Sequence, residues 1–273
     1  MNYHFFDYKY NIAGFDSDLF STPHLFYIVL IFLLVPLVSY FLRNAKREKI
    51  TNALKILFFV VAALEIIKIT WESYYDITTG QGFNTGGILP FYTCSLFIFT
   101  LPFAAWGKGK TKETALSFLC TIGLLFGGIG VVYCNGLNYY PFWTFGAFHS
   151  LFFHAAMFST GVYLLISGYK KPTWESVLRS MIPILFMSLI AIPVNYALGC
   201  DYMSLYSGGG IPLYEDLATS LAAKGLRPIY TVIMLFTHLP LSALVTALSL
   251  LIAKIANCVR ERGQKETPKK VLS

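Results

Sequence analysis

Cysteine, histidine and carboxylate side chains inside otherwise apolar segments are the part of this sequence suited to covalent chemistry. Cys94 is the candidate nucleophile, because a thiol becomes a reactive thiolate beside a base or a positive charge. His149 and His154 are the candidate bases, and Glu65 or Glu72 could orient the imidazole as a third member. A lone cysteine in an apolar segment is more often a packing residue. The prediction of catalysis therefore depends on these side chains meeting.

A stripe of charged residues lies in the second apolar segment. Glu65, Lys68 and Glu72 have the spacing i, i+3 and i+7, which places them on one side of a helix, where Lys68 can pair with either carboxylate. Ionisable groups cost a few kcal/mol or more in hydrocarbon, so they usually face the interior of a bundle and have partners. We predict a polar binding site formed by Glu65, Lys68, Glu72, Tyr92, Asn195 and His238.

Membrane-spanning helices are the elements predicted to position these residues. Of the 273 residues, 56% are apolar and only 13% are charged, against about 25% charged in soluble proteins, which excludes a soluble fold. Seven apolar stretches have the length of a bilayer span, namely His24–Leu42, Ala53–Trp71, Ile88–Trp106, Ala115–Tyr133, Phe145–Ile166, Val177–Leu198 and Ile229–Ile255. The sequence predicts an all-α membrane protein, a bundle of seven transmembrane helices.

The distribution of basic residues predicts the orientation of this bundle. Most Lys and Arg residues lie at the first, third and fifth connections and in the tail, and only three lie at the opposite end. The positive-inside rule places the N-terminus outside and the C-terminus in the cytoplasm of a cell-membrane protein. The predicted divisions are an extracytoplasmic segment at 1–23, a transmembrane domain at 24–256 and a basic cytoplasmic tail at 257–273. Topology accounts for the net charge of +7, so no nucleic-acid partner is predicted.

The polar residues within the spans are all predicted to lie in the outer half of the membrane, from a rise of about 1.5 Å per residue. We interpret this common depth as a polar pocket open toward the outer leaflet. The alternative is that these groups only form interhelical hydrogen bonds that hold the bundle together.

Other motifs are predicted to be structural. The five cysteines show no paired or metal-ligand spacing, so neither a disulfide framework, a metal site nor a cofactor is predicted. Gly123, Gly127, Gly128 and Gly130 have the spacing that lets membrane helices approach closely. The run Gly208–Gly210 predicts a flexible loop in the sixth connection.

An ordered set of short motifs carries a family resemblance. The motifs are FSTPHL from Phe20, EIIKITW from Glu65, LPFYTC from Leu89, FFH ending at His154, Asn195, GCDYM from Gly199 and GLRPIY from Gly225. With these motifs the chain resembles the YwaF family of bacterial integral membrane proteins. That family is similar to the eukaryotic transmembrane-164 proteins, which include an acyltransferase acting on ether phospholipids through a Cys and a His. The resemblance implies that Cys94 is the nucleophile and His154 the base, although Tyr92 stands where related sequences often have His.

Two functions from different classes follow from these observations. The first is a membrane-embedded acyltransferase or lipid hydrolase, with membrane lipids as partners and substrates. The second is a carrier or binding protein that uses the charged stripe and the histidines to hold a small polar solute or a proton. Depth favours His149 as the partner of Cys94 and the resemblance favours His154, and we adopt His154 as the expectation.

The orientation is testable with reporter fusions. A reporter fused after Lys270 should be active in the cytoplasm and one inserted near Gly209 should not, because the basic connections are retained inside. The measurement is paired activity of a cytoplasmic and a translocated reporter at both positions. A translocated C-terminus would contradict both the orientation and the number of spans.

Overall fold

The structure is a computed structural model that describes residues 3–9, 12, 14–80, 82 and 86–266, and these residues form α-helices and connecting turns without strands. The helices are α1 (Thr22–Phe41), α2 (Arg47–Thr78), α3 (Leu96–Trp106), α4 (Gly109–Cys120), α5 (Ile122–Val132), α6 (Phe145–Ile166), α7 (Glu175–Leu198), α8 (Pro212–Ala223) and α9 (Arg227–Glu266). The all-α prediction is confirmed. Part of the predicted tail, at 267–273, lies outside the described residues.

Six segments among the described residues are long and apolar enough to cross a membrane: α1, α2, the segment containing α4 and α5, α6, α7 and α9. Their outer faces carry large exposed apolar side chains such as Phe186 and Leu189, as expected for helices surrounded by lipid. The chain is therefore a multi-pass membrane protein. The predicted total of seven spans and the predicted orientation remain predictions.

The third predicted span, Ile88–Trp106, is helical only in its second half. Helix α3 begins at Leu96 and has 11 residues, a length of about 16 Å, which is shorter than the hydrocarbon core. It lies in the centre of the bundle between α2, α4 and α7, with Phe97 and Leu101 fully buried. Turns at residues 88–95 precede it. Irregular backbone at membrane depth is tolerated where protein surrounds it.

The fourth predicted span, Ala115–Tyr133, is also interrupted. Thr121 separates α4 from α5 with φ −124° and ψ −93°, outside the helical region. Its hydroxyl donates a hydrogen bond of 2.7 Å to the carbonyl of Ser117, which satisfies an acceptor at the end of α4. The hydropathy of the sequence does not reveal this interruption of the helix, because the residues on both sides of it are equally apolar.

The sixth connection is more ordered than the predicted flexible loop. The carboxylate of Asp201 accepts backbone hydrogen bonds of 2.8, 2.9 and 2.6 Å from Tyr206, Ser207 and Gly209. Helix α8 follows directly at Pro212, so the connection contains a helix as well as the glycine run, which itself lies outside the helix. One carboxylate that caps several successive N–H groups fixes a turn that glycines alone would leave free.

Small residues allow α5 and α6 to pack closely, in agreement with the interpretation of the glycines in the fourth segment. A Cβ atom on Gly127 would lie 2.5 Å from the backbone nitrogen of Phe158. A Cβ atom on Gly161 of α6 would lie 2.7 Å from the carbonyl oxygen of Leu119 at the end of α4, so α6 approaches that helix closely as well. Because both obstacles are backbone atoms, they cannot move aside as a side chain would.

Substitution of these glycines should have unequal effects. Gly127→Ala should destabilise the protein by about 1–3 kcal/mol, because the added methyl group overlaps backbone of α6. The matched control is Gly128→Ala, where the nearest atom is a movable side-chain carbon of Phe158 at 3.3 Å. The measurement is thermal unfolding in detergent. Equal melting temperatures for the two variants would contradict the proposed close approach of α5 and α6.

Candidate functional site

Helix α2 carries the charged stripe, and it is longer than predicted. The helix continues to Thr78, beyond the predicted end at Trp71, so Glu72 is not at a helix terminus. The extension adds Asp76, which is fully buried and lies one turn beyond Glu72. Asp76 was not predicted as part of the stripe, because the predicted second span ended at Trp71 and the helix continues to Thr78. The spacing of four residues from Glu72 is the signal that could have identified it.

Glu65, the first residue of the stripe, pairs with His149 of α6. Nε2 of His149 lies 3.1 Å from Oε2 of Glu65, and both side chains are 11% exposed. This is an ion-pair contact by distance, because Nε2 forms no hydrogen bond of regular geometry among the described residues. A carboxylate beside one ring nitrogen can orient an imidazole for proton transfer.

The ammonium group of Lys68 pairs with Glu72 rather than with Glu65. The Nζ–Oε2 distance is 2.8 Å, and the side chains are 17% and 14% exposed. Lys68 also donates a long hydrogen bond of 3.4 Å to the carbonyl of Ile88. The ion pair therefore connects α2 to the irregular segment that precedes α3.

Cys94 lies in that irregular segment, at the N-terminal end of α3. Its carbonyl accepts a hydrogen bond of 3.0 Å from the N–H of Phe97, and its side chain is partly buried. Glu65 and Lys68 lie within electrostatic range of the thiol, as do the backbone N–H groups of Cys94 and Ser95. The positive end of a helix dipole favours an anion at this position. The surroundings of Cys94 are thus polar on one side.

One aromatic contact joins α3 and α6 near Cys94 and the two histidines. The rings of Phe97 on α3 and Phe153 on α6 lie 5.6 Å apart. The Phe153 ring in turn stacks on His149 at 5.9 Å and lies 6.2 Å from the ring of His154. No hydrogen bond joins Cys94 to either histidine in the described residues.

His154 faces a different neighbour. A Cβ atom on Gly130 of α5 would lie 1.9 Å from its ring, so the imidazole packs against that glycine. Nδ1 of His154 lies 2.8 Å from the carbonyl oxygen of Ser150, which can only accept, so Nδ1 carries the proton. The five-residue spacing of the two histidines predicts this divergence around α6.

Of the other predicted binding residues, Tyr92 and Asn195 both contact Tyr202, whose ring lies 5.0 Å from that of Tyr92, and His238 lies elsewhere. Tyr92 donates a hydrogen bond of 2.9 Å to the carbonyl of Gly86, within the segment before α3. Asn195 is buried, and its amide donates to the carbonyl and accepts from the N–H of Tyr202 at 2.9 and 2.8 Å. His238 stacks on Phe126 at a centroid distance of 5.8 Å. In the described structure neither Asn195 nor His238 contacts the stripe, and the engaged amide of Asn195 positions the sixth connection.

The segment before α1 packs over the Asp76 end of the stripe. The hydroxyl of Tyr8 donates a hydrogen bond of 2.8 Å to Asp76, and its ring stacks on Tyr75 at 5.2 Å. The indole of Trp71 donates to the carbonyl of Phe6 at 3.1 Å. Sequence patterns within single elements could not reveal these contacts, because they join residues more than 60 positions apart.

Tyr140 packs against the same group of aromatic residues, near Tyr8 and Trp71. Its ring centroid lies 5.6 Å from that of Trp71. Burial, followed by the nearby carboxylate of Glu72, raises the pKa of the Tyr140 phenol. The phenol is therefore neutral at every physiological pH, and it adds no negative charge beside Glu72.

A large apolar groove begins beside Cys94. Its volume is about 760 Å³, within the usual range for ligand sites. It lies between α2, α3, α4 and α7, and its lining is apolar apart from three threonines. Phe91 and Leu96, which flank Cys94, line one end together with Ala62, one turn inward from Glu65. Thr111 and Thr114 of α4 line the other end. This shape suits an extended hydrocarbon chain.

No metal centre is formed by the residues that the structure describes. No group of three or more His, Cys, Asp or Glu side chains in those ranges could hold an ion. The Glu65–His149 and Lys68–Glu72 contacts pair polar groups of the site with one another.

Comparison with known proteins adds one finding. The family model described as the TMEM164 family matches residues 19–252, a range that includes the stripe, Cys94 and both histidines. No curated protein and no solved structure matches the chain.

The Lys68–Glu72 pair should be strongly coupled. Lys68→Met should destabilise the protein by about 3–5 kcal/mol, because it leaves a carboxylate buried without compensation. The double variant Lys68→Met/Glu72→Gln should regain most of this loss. The measurement is a double-mutant cycle of unfolding free energies in detergent.

An exposed pair on α7 provides the control. Arg179 and Glu175 have the same spacing of four residues, but the Glu175 side chain is 66% exposed. Arg179→Met should cost less than about 1 kcal/mol. A similar coupling energy for both pairs would contradict the burial of the α2 stripe.

Proposed function

This chain belongs to the TMEM164 family, and we propose that it transfers acyl groups between membrane lipids with Cys94 as the nucleophile. Two observations support the proposal: the thiol of Cys94 lies within electrostatic range of Glu65, which contacts His149, and the nearby residues Phe91 and Leu96 line an apolar groove. Acyl transfer requires these two surroundings together, because the ester carbonyl must meet a nucleophile while its hydrocarbon chain remains out of water.

The proposed reaction has two steps. The imidazole accepts the Cys94 proton, and the thiolate attacks the ester carbonyl carbon of a phospholipid. The carbonyl–oxygen bond to the alcohol then breaks, the imidazolium returns the proton to the leaving alkoxide, and the acyl group remains on Cys94 as a thioester. A second lipid alcohol attacks the thioester by the reverse sequence and restores the thiol. Water in place of that alcohol gives hydrolysis.

We assign the role of base to His149 in this proposal. Its contact with Glu65 supplies the orienting carboxylate, and Glu65 lies within electrostatic range of the Cys94 thiol. His154 was the sequence-based expectation, but its ring packs against Gly130 of α5. His154 then serves the packing of α5 and α6.

Two backbone N–H groups are candidate hydrogen-bond donors to the negative charge that develops on the substrate oxygen. The N–H groups of Cys94 and Ser95 at the start of α3 are oriented toward the thiol. Preorganised backbone donors at a helix N-terminus stabilise the oxyanion of acyl transfer. The irregular backbone before α3 leaves these N–H groups available to the substrate, because a continuous helix would use them in its own hydrogen bonds.

The membrane placement follows from the same proposal. Residues 88–106 form the seventh crossing, with their irregular half enclosed by other helices. The N-terminus is then outside, the C-terminus is cytoplasmic and the site opens toward the outer leaflet of the cell membrane. Substrate lipids enter from that leaflet.

Acyl exchange with labelled phospholipid tests the assignment of residues. Cys94→Ala should abolish exchange, and His149→Gln should reduce it by about 10²–10⁴-fold, because proton transfer is lost. Cys120→Ala is the matched control, since Cys120 is a buried thiol without such a pair, and it should retain activity. Undiminished exchange in Cys94→Ala would contradict the proposal and favour the alternative of a binding protein or carrier.

Chain-length preference tests the role of the apolar groove. Thr114→Phe should shift the preference toward shorter acyl chains, because the new ring fills the end of the groove away from Cys94. Leu178→Phe is the control, because Leu178 faces outward on α7 and does not line the groove. The measurement is competition between long-chain and short-chain substrates. The same preference in Thr114→Phe and the unmodified protein would exclude the groove as the acyl site.

A further inference from the structure

A second groove lies at the opposite end of the molecule, between α1, α2 and α6. Its volume is about 350 Å³, and Val38, Leu42, Ile50, Leu54 and Tyr163 contribute to its largely apolar lining. Helix α1 packs mainly on α6, so its side facing α2 is open. This groove is separate from the one beside Cys94, which is lined by α3, α4 and α7 as well as α2.

Two arginines lie close in sequence to lining residues of this groove. Arg43 directly follows the lining residue Leu42, and Arg47 lies one turn before the lining residue Ile50. The guanidinium of Arg43 lies 3.8 Å from the ring centroid of Tyr40 and donates to the carbonyl of the same residue at 2.6 Å. Aromatic stacking and a backbone acceptor thus hold this cation in a fixed place.

Arg47 is held in a similar way. Its guanidinium lies 4.4 Å from the ring centroid of Tyr169 and donates a hydrogen bond of 3.2 Å to the Tyr169 carbonyl. The Tyr169 hydroxyl and the Thr51 hydroxyl are 2.8 Å apart. Lys112 also approaches the Tyr169 ring, at 5.5 Å, so several positive charges converge here.

The charges of these arginines are not neutralised by acidic side chains. Among the described residues, neither Arg43 nor Arg47 forms an ion pair. At the same end of the bundle Lys170 pairs with Glu113, and Arg179 pairs with Glu175. Each guanidinium has five N–H donors, and most of those on Arg43 and Arg47 remain available for an anion.

We propose that this groove binds an anionic phospholipid, with one acyl chain between α1 and α2 and the phosphate between Arg43 and Arg47. Arginine suits this role because its planar fork binds phosphate oxygens in pairs. Basic pockets between transmembrane helices recognise lipid headgroups in this manner. In the orientation proposed above, the lipid belongs to the cytoplasmic leaflet. The site is independent of the acyl-transfer reaction at Cys94.

Native mass spectrometry of the full-length protein in detergent tests the headgroup. Dioleoyl phosphatidylglycerol should be retained, and dioleoyl phosphatidylcholine of the same chain length should not. Arg43→Gln/Arg47→Gln should weaken phosphatidylglycerol binding by roughly 30-fold, because each basic residue at an anionic surface contributes about a factor of five. Arg47→Lys, which keeps the charge, should bind at an intermediate level.

The matched control removes the same charge from the same end of the bundle. Lys108→Gln/Lys110→Gln lies outside the groove on exposed positions and should bind the lipid as the unmodified protein does. An equal loss in the two double variants, or equal retention of phosphatidylcholine, would overturn the proposal in favour of unspecific surface charge.

A second arm separates the lipid from free phosphate. Ala53→Phe places a ring in the groove and should weaken phosphatidylglycerol binding while both arginines are kept. Glycerol 3-phosphate, which has no acyl chain, should bind far more weakly than the lipid. Binding of both probes with equal strength, unaffected by Ala53→Phe, would overturn the assignment of the groove to an acyl chain.

Discussion

Charges on α2 can exist inside this bundle only because each of them has a partner, either on α2 itself or on another element. An uncompensated ion in hydrocarbon is far too costly to be retained. Glu65 meets His149 of α6, Lys68 and Glu72 meet each other, and Asp76 meets Tyr8. These partners come from three parts of the chain, and their need to meet fixes how α6 and the N-terminal segment sit on α2.

The irregular segment before α3 depends on the same constraint. A carbonyl at Ile88 has a partner in Lys68, and protein surrounds the turns that follow. Backbone that leaves the helical conformation at membrane depth requires such polar neighbours. The result is a thiol at the beginning of a short central helix, with the acyl-sized groove starting at its flanking residues Phe91 and Leu96. The proposed site for lipid chemistry thus depends on the same buried charges.

Much of the fold could be predicted from apolar length alone, because lipid requires long apolar helices. The bounds of α6, Phe145–Ile166, were predicted to the residue. The breaks before Leu96 and at Thr121 could not be predicted, since composition does not change across them. Helix α8 was not predicted, because it lies in a connection whose glycines favour a loop.

The candidate site was predictable in its residue types but not in its pairing. Spacing on α2 allowed Lys68 to meet either carboxylate, and only tertiary packing selects Glu72. The same holds for the histidines, where periodicity separates their directions but does not say which one meets Glu65. The contact between Tyr8 and Asp76 joins residues 68 positions apart, so no local pattern encodes it.

The central claim is that the carboxylate–imidazole pair on α2 and α6 serves the thiol of Cys94. Peptide mass spectrometry after incubation with a phospholipid and rapid acid quenching tests it directly, because a thioester intermediate adds the mass of one acyl chain to the peptide that contains Cys94. We expect this adduct on the Cys94 peptide of the unmodified protein, its removal by hydroxylamine and its absence in His149→Gln. An adduct absent from Cys94, or equally abundant on the buried thiol of Cys120, would contradict it.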